Sequence, residues 1–141
     1  MNIFEYYLSE IHDLILNHKD DLKIKNLKSL NNISLEIPPE EFNFDLSCNA
    51  SLVLGKSNNL NPQSFAIKLK SLFEKKINHF DTIEIAGPGF LNIKLSNLAI
   101  VKNINSILEN KETYGASKSN EIYNIEFVSA NPTGPMHVGH C

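Results

Sequence analysis

Ile3, Phe4, Tyr7, Leu8, Ile11, Leu14 and Ile15 recur at the spacing that lays apolar side chains along one face of a helix. The pattern predicts an amphipathic helix from Asn2 to Asn17, broken where Asp20 and Asp21 interrupt it. Ile33, Leu35 and Ile37 then alternate with Ser34 and Glu36, which reads as a half-buried strand ended by Pro38-Pro39. Leu46 to Leu54 is apolar enough for a buried helix, with Asp45 or Ser47 placed to cap it and Gly55 close to its end.

Asn61-Pro62 is a helix start, a capping side chain followed by proline at the first helical position. Phe65, Ala66, Leu69, Leu72, Phe73 and Ile77 form the buried face of that helix. Phe80 to Ala86 alternates as a strand, Gly87-Pro88-Gly89 turns the chain, and Phe90, Leu91, Ile93 and Leu95 supply the hairpin partner. The turn exceeds the two-residue primed type, so a bulge or a wider loop is expected. Ser96 or Asn97 caps a further helix through Ile100, Val101, Ile104, Ile107 and Leu108. Lys111 to Glu121 is a polar linker, and Ile122 to Val128 reads as a last strand. The order α-β-α-α-β-β-α predicts an α+β fold, a small antiparallel sheet packed with helices on one face. It divides the chain at the linker, into a domain over 1–118 and the start of another over 119–141.

Composition narrows the class. A chain of 141 residues, 42% hydrophobic and 21% charged, fits one domain with a real core and is too apolar for wholesale disorder. The net charge of -3 gives no global basic footprint. Lys68, Lys70, Lys75 and Lys76 crowd one stretch, which reads as a solvated helix face. Cys48 and Cys141 stand far apart with no secretory leader, so a reducing cytoplasm is expected rather than a disulfide framework. No apolar run approaches the ~20 residues that span a bilayer, so no membrane partner is expected.

The densest chemistry lies in E-F-V-S-A-N-P-T-G-P-M-H-V-G-H-C, Glu126 to Cys141. Residues three apart on a helix lie about 5–6 Å from each other on one face. A helix starting near Met136 would set His137 and His140 in its first turn, beside unpaired N–H groups and the positive dipole end, an anion site. Gly139 leaves room for a base or ribose, and Pro132 and Pro135 stiffen the turn. Strand, turn and helix start in this order are similar to the phosphate-facing crossover of a doubly wound domain. A zinc site of His137, His140 and Cys141 is crowded and short of ligands, and a nucleophilic Cys141 does not face its neighbouring histidine. From H-x-G-H alone, a capped turn with two exposed histidines weighs as much as an active site.

The full run resembles the first signature of class I arginyl-tRNA synthetases, with His137-Val138-Gly139-His140 at the H-I-G-H element. Ile85-Ala86-Gly87-Pro88-Gly89-Phe90-Leu91-Asn92 resembles a recurring segment of that family's N-terminal domain, and Phe44-Asp45-Leu46-Ser47-Cys48-Asn49 resembles its G-D-[YFL]-[AS]-[ST]-N element. The resemblance implies an N-terminal tRNA-binding domain followed by the first strand and turn of a truncated Rossmann-type catalytic domain. It implies ATP as a substrate with its Mg2+, arginine, and tRNA(Arg) as partners, with no protein-bound metal. By the same resemblance His137 and His140 would act on the ATP phosphates, with Pro135 and Gly139 beside them. Glu126, Ser129 and Asn131 would surround the arginine, and Phe90 and Asn92 would contact tRNA.

For Phe90 two readings stand. An aromatic after a hairpin turn is most often core, yet an exposed one could stack on an unpaired base. Asn92 alternates with Leu91 and Ile93, so exposure is expected. Phe44 stands where the family has glycine and Cys48 where it has a small hydroxyl residue; if that glycine needs positive φ, Phe44 would be strained. The expected function is an arginine–tRNA ligase of which this chain is an N-terminal portion, inactive alone. The alternative is a free-standing module that holds the tRNA elbow without catalysis. A monomer is favoured, with the oligomeric state left open by the sequence.

Overall fold

The computed structural model describes residues 2–116 and 121–126. Helix α1 (Ile3–Asn17) begins in a capping box: the Glu5 N–H donates to Asn2 Oδ1 at 2.9 Å, and the Asn2 N–H donates to Glu5 Oε2 at 3.2 Å. Two orphan donors of the first turn are thereby satisfied. Tyr7, Ile11 and Ile15 enter the core. Tyr7 packs its ring 5.3 Å from Phe80, and burial followed by the Glu10 charge pushes its phenol up to about 12.

The described residues form a four-stranded antiparallel sheet in the order β1-β2-β4-β3: β1 (Leu35–Glu36), β2 (Leu46–Cys48), β3 (Phe80–Ala86) and β4 (Phe90–Leu95). Helices α2 (Ala50–Ser57) and α3 (Pro62–Lys76) pack with it, α3 along β3 and α2 along β4. The core gathers Leu46, Cys48, Ile83, Leu91, Ile93 and Leu95 from the sheet, and Leu54, Phe65, Leu69 and Phe73 from the helices. This is the expected α+β arrangement, a small sheet with helices over one face.

Three segments differ from expectation. Leu46 to Cys48 is the strand β2 rather than the start of a helix: Leu46 pairs with Ile93 and Cys48 with Leu91. A short apolar run fits a strand or a buried helix equally by pattern, and the free edge of β4 decided this one. Asp45 and Ser47 consequently cap no helix. Asp45 ties the sheet instead, its Oδ2 accepting from the Leu95 N–H at 2.8 Å and its Oδ1 lying 3.3 Å from Lys94 Nζ. Gly55 lies inside α2, where an added Cβ would come within 3.3 Å of the Leu60 carbonyl at the α2–α3 junction.

Strand β1 is shorter than its pattern. Leu35 and Glu36 pair with β2, but Ile37 is 74% exposed because Pro38 and Pro39 follow it without a backbone donor. In the third segment, residues 121–126 carry no strand; Ile122 to Val128 was expected as one, and 127–128 lie outside the described residues. A β-branched run becomes a strand only where a neighbour pairs with it, and none of the described strands does.

The β3–β4 hairpin closes through a three-residue loop, Gly87-Pro88-Gly89, with Ala86 paired to Phe90. A bulge sits at the far end, between Phe80 and Thr82. The extra residue puts Asp81 and Thr82 both outside and lets Phe80 and Ile83 both reach the core, a phase that strict alternation would forbid.

Ser96 caps α4 (Asn97–Asn110), accepting from the Ala99 N–H at 3.3 Å. Within α4 only Ala99 is buried. The face carrying Ala99, Lys102, Asn103 and Ser106 meets α1, while Val101, Ile104 and Leu108 stay exposed.

Candidate nucleic-acid interface

Period-two alternation gives the sheet two chemistries. Leu35, Cys48, Leu91 and Ile85 face the helices, and one residue along, Glu36, Ser47, Asn92 and Glu84 form a cross-strand row on the opposite face. Phe90 precedes Asn92 by two residues on β4 and shares that face at the hairpin end. Phe90 is 38% exposed, so the open reading of this aromatic holds over the core one.

Asn92 departs from expectation: it is only 4% exposed. Alternation does turn it away from Leu91 and Ile93, but β4 is an inner strand, and Ser47 on β2 and Glu84 on β3 flank it in register. Burial here comes from neighbours on a polar face, not from entry into the core. The Ser47 hydroxyl donates to Asn92 Oδ1 at 2.8 Å. Sequence reasoning took Ser47 for a helix cap and part of a family-like segment, and singled out neither Ser47 nor Glu84 for this face. Cross-strand register, which needs β2 recognised as a strand, was the signal that would have found them.

The hairpin turn that presents Phe90 is fixed from behind. Gly87 and Gly89 take φ of +52° and +140°, which side-chain-bearing residues rarely adopt. The fully buried Ser51 hydroxyl donates to the Gly89 carbonyl, seating the turn on the start of α2. An added Cβ on Gly89 would lie 2.7 Å from Ser51 Oγ and 3.3 Å from the Pro62 carbonyl. The strain considered for Phe44 falls elsewhere: the left-handed residue is Asn43, φ +51°, and Phe44 is not among the positive-φ residues. Cys48 is fully buried, and burial pushes its thiol up to about 12. A thiol held protonated there is an inert core side chain.

Charge around the site is mixed. Glu36 and Glu84 are exposed, and Lys94 is engaged by Asp45. On α3, Lys68, Lys75 and Lys76 are exposed, and Lys70 lies 3.6 Å from Glu74, the solvated helix face that was expected. Glu126 is exposed and outside any strand. Ser129, Asn131, Pro135, His137, Gly139 and His140 lie outside the described residues, as does Cys141 of the zinc and nucleophile alternatives. Among the described residues no cluster of His, Cys, Asp and Glu suits a metal ion, and no helix is long and apolar enough to cross a membrane.

The architecture defines a small α+β domain with one sheet face open beside a rigid hairpin. The family described as "Arginyl tRNA synthetase N terminal domain" matches residues 9–95, and the chain belongs to it. Among curated relatives, the arginine–tRNA ligase of Pelagibacter ubique (strain HTCC1062) is 41% identical over 100% of this chain and 25% of its own length. That of Bartonella quintana (strain Toulouse) is 41% identical over 100% of the chain and 24% of itself. The ligase of Rickettsia akari (strain Hartford) is 40% identical over 82% of the chain and 20% of itself. The chain thus spans about a quarter of the length of the curated relatives it matches. The segments around Leu46 and Gly87 fall within the matched residues 9–95, and the terminal signature lies outside them.

Proposed function

We propose that this chain is the tRNA-facing part of an arginine–tRNA ligase, joined to the opening of its catalytic domain. The observation that carries the reading is the pairing of an exposed Phe90 with Asn92 on the open sheet face, in a chain whose relatives are arginine–tRNA ligases. A ring freed from the core offers a stacking surface for an unpaired base, and the amide beside it can read a base edge. Residues 1–118 form the tRNA-binding domain and 119–141 begin the ATP- and arginine-handling one, acting in the cytoplasm.

In the whole ligase His137 and His140 would stabilise charge building on the ATP phosphates, with Pro135 and Gly139 shaping the space beside them. Mg2+ arrives with the ATP. Glu126, Ser129 and Asn131 would meet the arginine: the carboxylate suits its cationic groups, and the hydroxyl and amide oxygens take its remaining N–H donors. By itself the 141-residue chain binds tRNA and does not activate arginine.

Two measurements test this. Binding of an arginine tRNA transcript, weakened by Phe90→Ala, is the expected result. Arginine-dependent ATP–pyrophosphate exchange by this chain alone would overturn the division of labour. The free-standing module remains the second reading, favoured by a core that closes within residues Tyr7 to Ala99.

A further inference from the structure

The Asn92 amide has two ends with opposite hydrogen-bonding character: a carbonyl oxygen that accepts and an amino group that donates. On an open sheet face such an amide can turn over, and a base edge would then meet either end. Here one end is engaged. Ser47 Oγ lies 2.8 Å from Asn92 Oδ1, donating across the β2–β4 pair from the register position directly opposite. Among the described residues no acceptor takes Asn92 Nδ2. The residue is 4% exposed, so its flanking neighbours on β2 and β3 hold the amide in a narrow space. The buried side-chain atoms without a partner among the described residues are Glu10 Oε2 and His12 Nε2, so Asn92 Nδ2 still reaches the surface, where an incoming acceptor can meet it.

We propose that Ser47 is a positioning residue for the nucleic-acid face: its hydroxyl pins the Asn92 carbonyl so that Nδ2 is presented to an acceptor atom of an unpaired base stacked on Phe90. This rests on the reading of that face as the tRNA contact. Phe90 and Asn92 are two residues apart on one strand, hence about 6.5 Å apart along it, within the reach of a single base. The ligand class follows from the donor: a base presenting a ring nitrogen or carbonyl oxygen at that edge. Glu84, in register with Asn92 on β3 and exposed, places an acceptor beside the donor. An amino group next to the base's acceptor atom would find its partner there. The hydroxyl contributes by holding the amide in one orientation before the base arrives, which lowers the ordering cost of binding.

The test compares Ser47→Thr with Ser47→Val in the 141-residue chain. The two replacements share a β-branched shape that suits a strand and differ by a hydroxyl against a methyl. The probe is an arginine tRNA transcript at about 0.15 M salt, where exposed-charge attraction is largely screened. Ser47→Thr should bind within about twofold of the parent, and Ser47→Val about fivefold more weakly, the loss of one hydrogen-bond contribution. Thermal unfolding of the Val form should be no lower than that of the Thr form. In the Asn92→Ala background the Thr–Val difference should vanish, because the hydroxyl acts through that amide.

If Thr and Val forms bind alike while Phe90→Ala weakens binding, the positioning role is wrong and the tRNA face stands. If Phe90→Ala and Asn92→Ala both leave binding unchanged, the face itself has been misread and the inference goes with it. A Thr–Val difference that persists without the Asn92 amide also overturns the proposal.

Discussion

Replacing Gly89 by alanine tests the hairpin seat directly. Its φ of +140° lies where a Cβ is strained, costing about 1–3 kcal/mol. The new Cβ would stand 2.7 Å from Ser51 Oγ, closer than real Cβ contacts come. Ser51 must therefore rotate and release the Gly89 carbonyl. Two buried polar groups then lose their partners, worth about 1–3 kcal/mol more. The total is about 2–6 kcal/mol, a large share of the roughly 5–15 kcal/mol that holds a domain folded. Urea unfolding followed by far-ultraviolet circular dichroism reads it. With a slope of about 1–1.5 kcal/mol per molar, the midpoint should fall by about 1.3–6 M. Ser51→Ala alone should cost about 1–3 kcal/mol. In that background the Gly89→Ala cost should shrink toward the strain alone, since the oxygen it collides with is gone. A Gly89→Ala unfolding free energy within about 0.5 kcal/mol of the parent, or full additivity with Ser51→Ala, would refute the reasoning.

Asn58→Ala should destabilise by about 2–3 kcal/mol in the same assay, because Oδ1 accepts the Lys25 and Asn26 N–H groups at 2.9 and 2.7 Å and Nδ2 donates to the Asn26 carbonyl at 3.0 Å. His12 is lowered below its ordinary 6.5 mainly by burial, against the opposing effects of the Leu30 backbone and Asp13. The folded state therefore holds that proton less tightly than the unfolded one, so the contribution is complete above pH 6.5 and is lost as pH falls through the lowered folded value. His12→Gln should flatten that acid-side slope in urea midpoints taken across the window. In a Cys141→Ser chain, Cys48 should resist a thiol reagent until denaturant is added, and rapid labelling of the folded chain would contradict its burial. A chain cut after Lys118 should keep the thermal midpoint of the 141-residue chain within about 2 °C, as the core closes by Ala99; a larger drop would move the domain boundary.

Several features were legible without coordinates because local physics decides them. Asn61 and Ser96 cap their helices through their own side chains, and the Gly87-Pro88-Gly89 turn needs backbone freedom that only its residue types give. The faces of α1 and α3 follow from helical period, and the family resemblance follows from runs of residues in order. Leu46-Ser47-Cys48 was not legible in the same way. Three apolar-flanked residues carry no period of their own, and β4's unpaired edge made them a strand. The bulge that brings Phe80 and Ile83 to one side likewise depends on the partner strand. So does the state of Asn92: sequence sets which face it takes, and the two flanking strands set how much of it water reaches. The α4 stripe marks the limit from the other side, since its period predicts a helix correctly and says nothing of what covers it. Sequence alone determined the Asn61 and Ser96 caps, the turn chemistry and the apolar periods, because those act over a few residues. Register, cross-strand neighbours and the Ser47–Asn92 bond were decided by the tertiary structure, because they join positions 45 residues apart whose contact exists only once the sheet has formed.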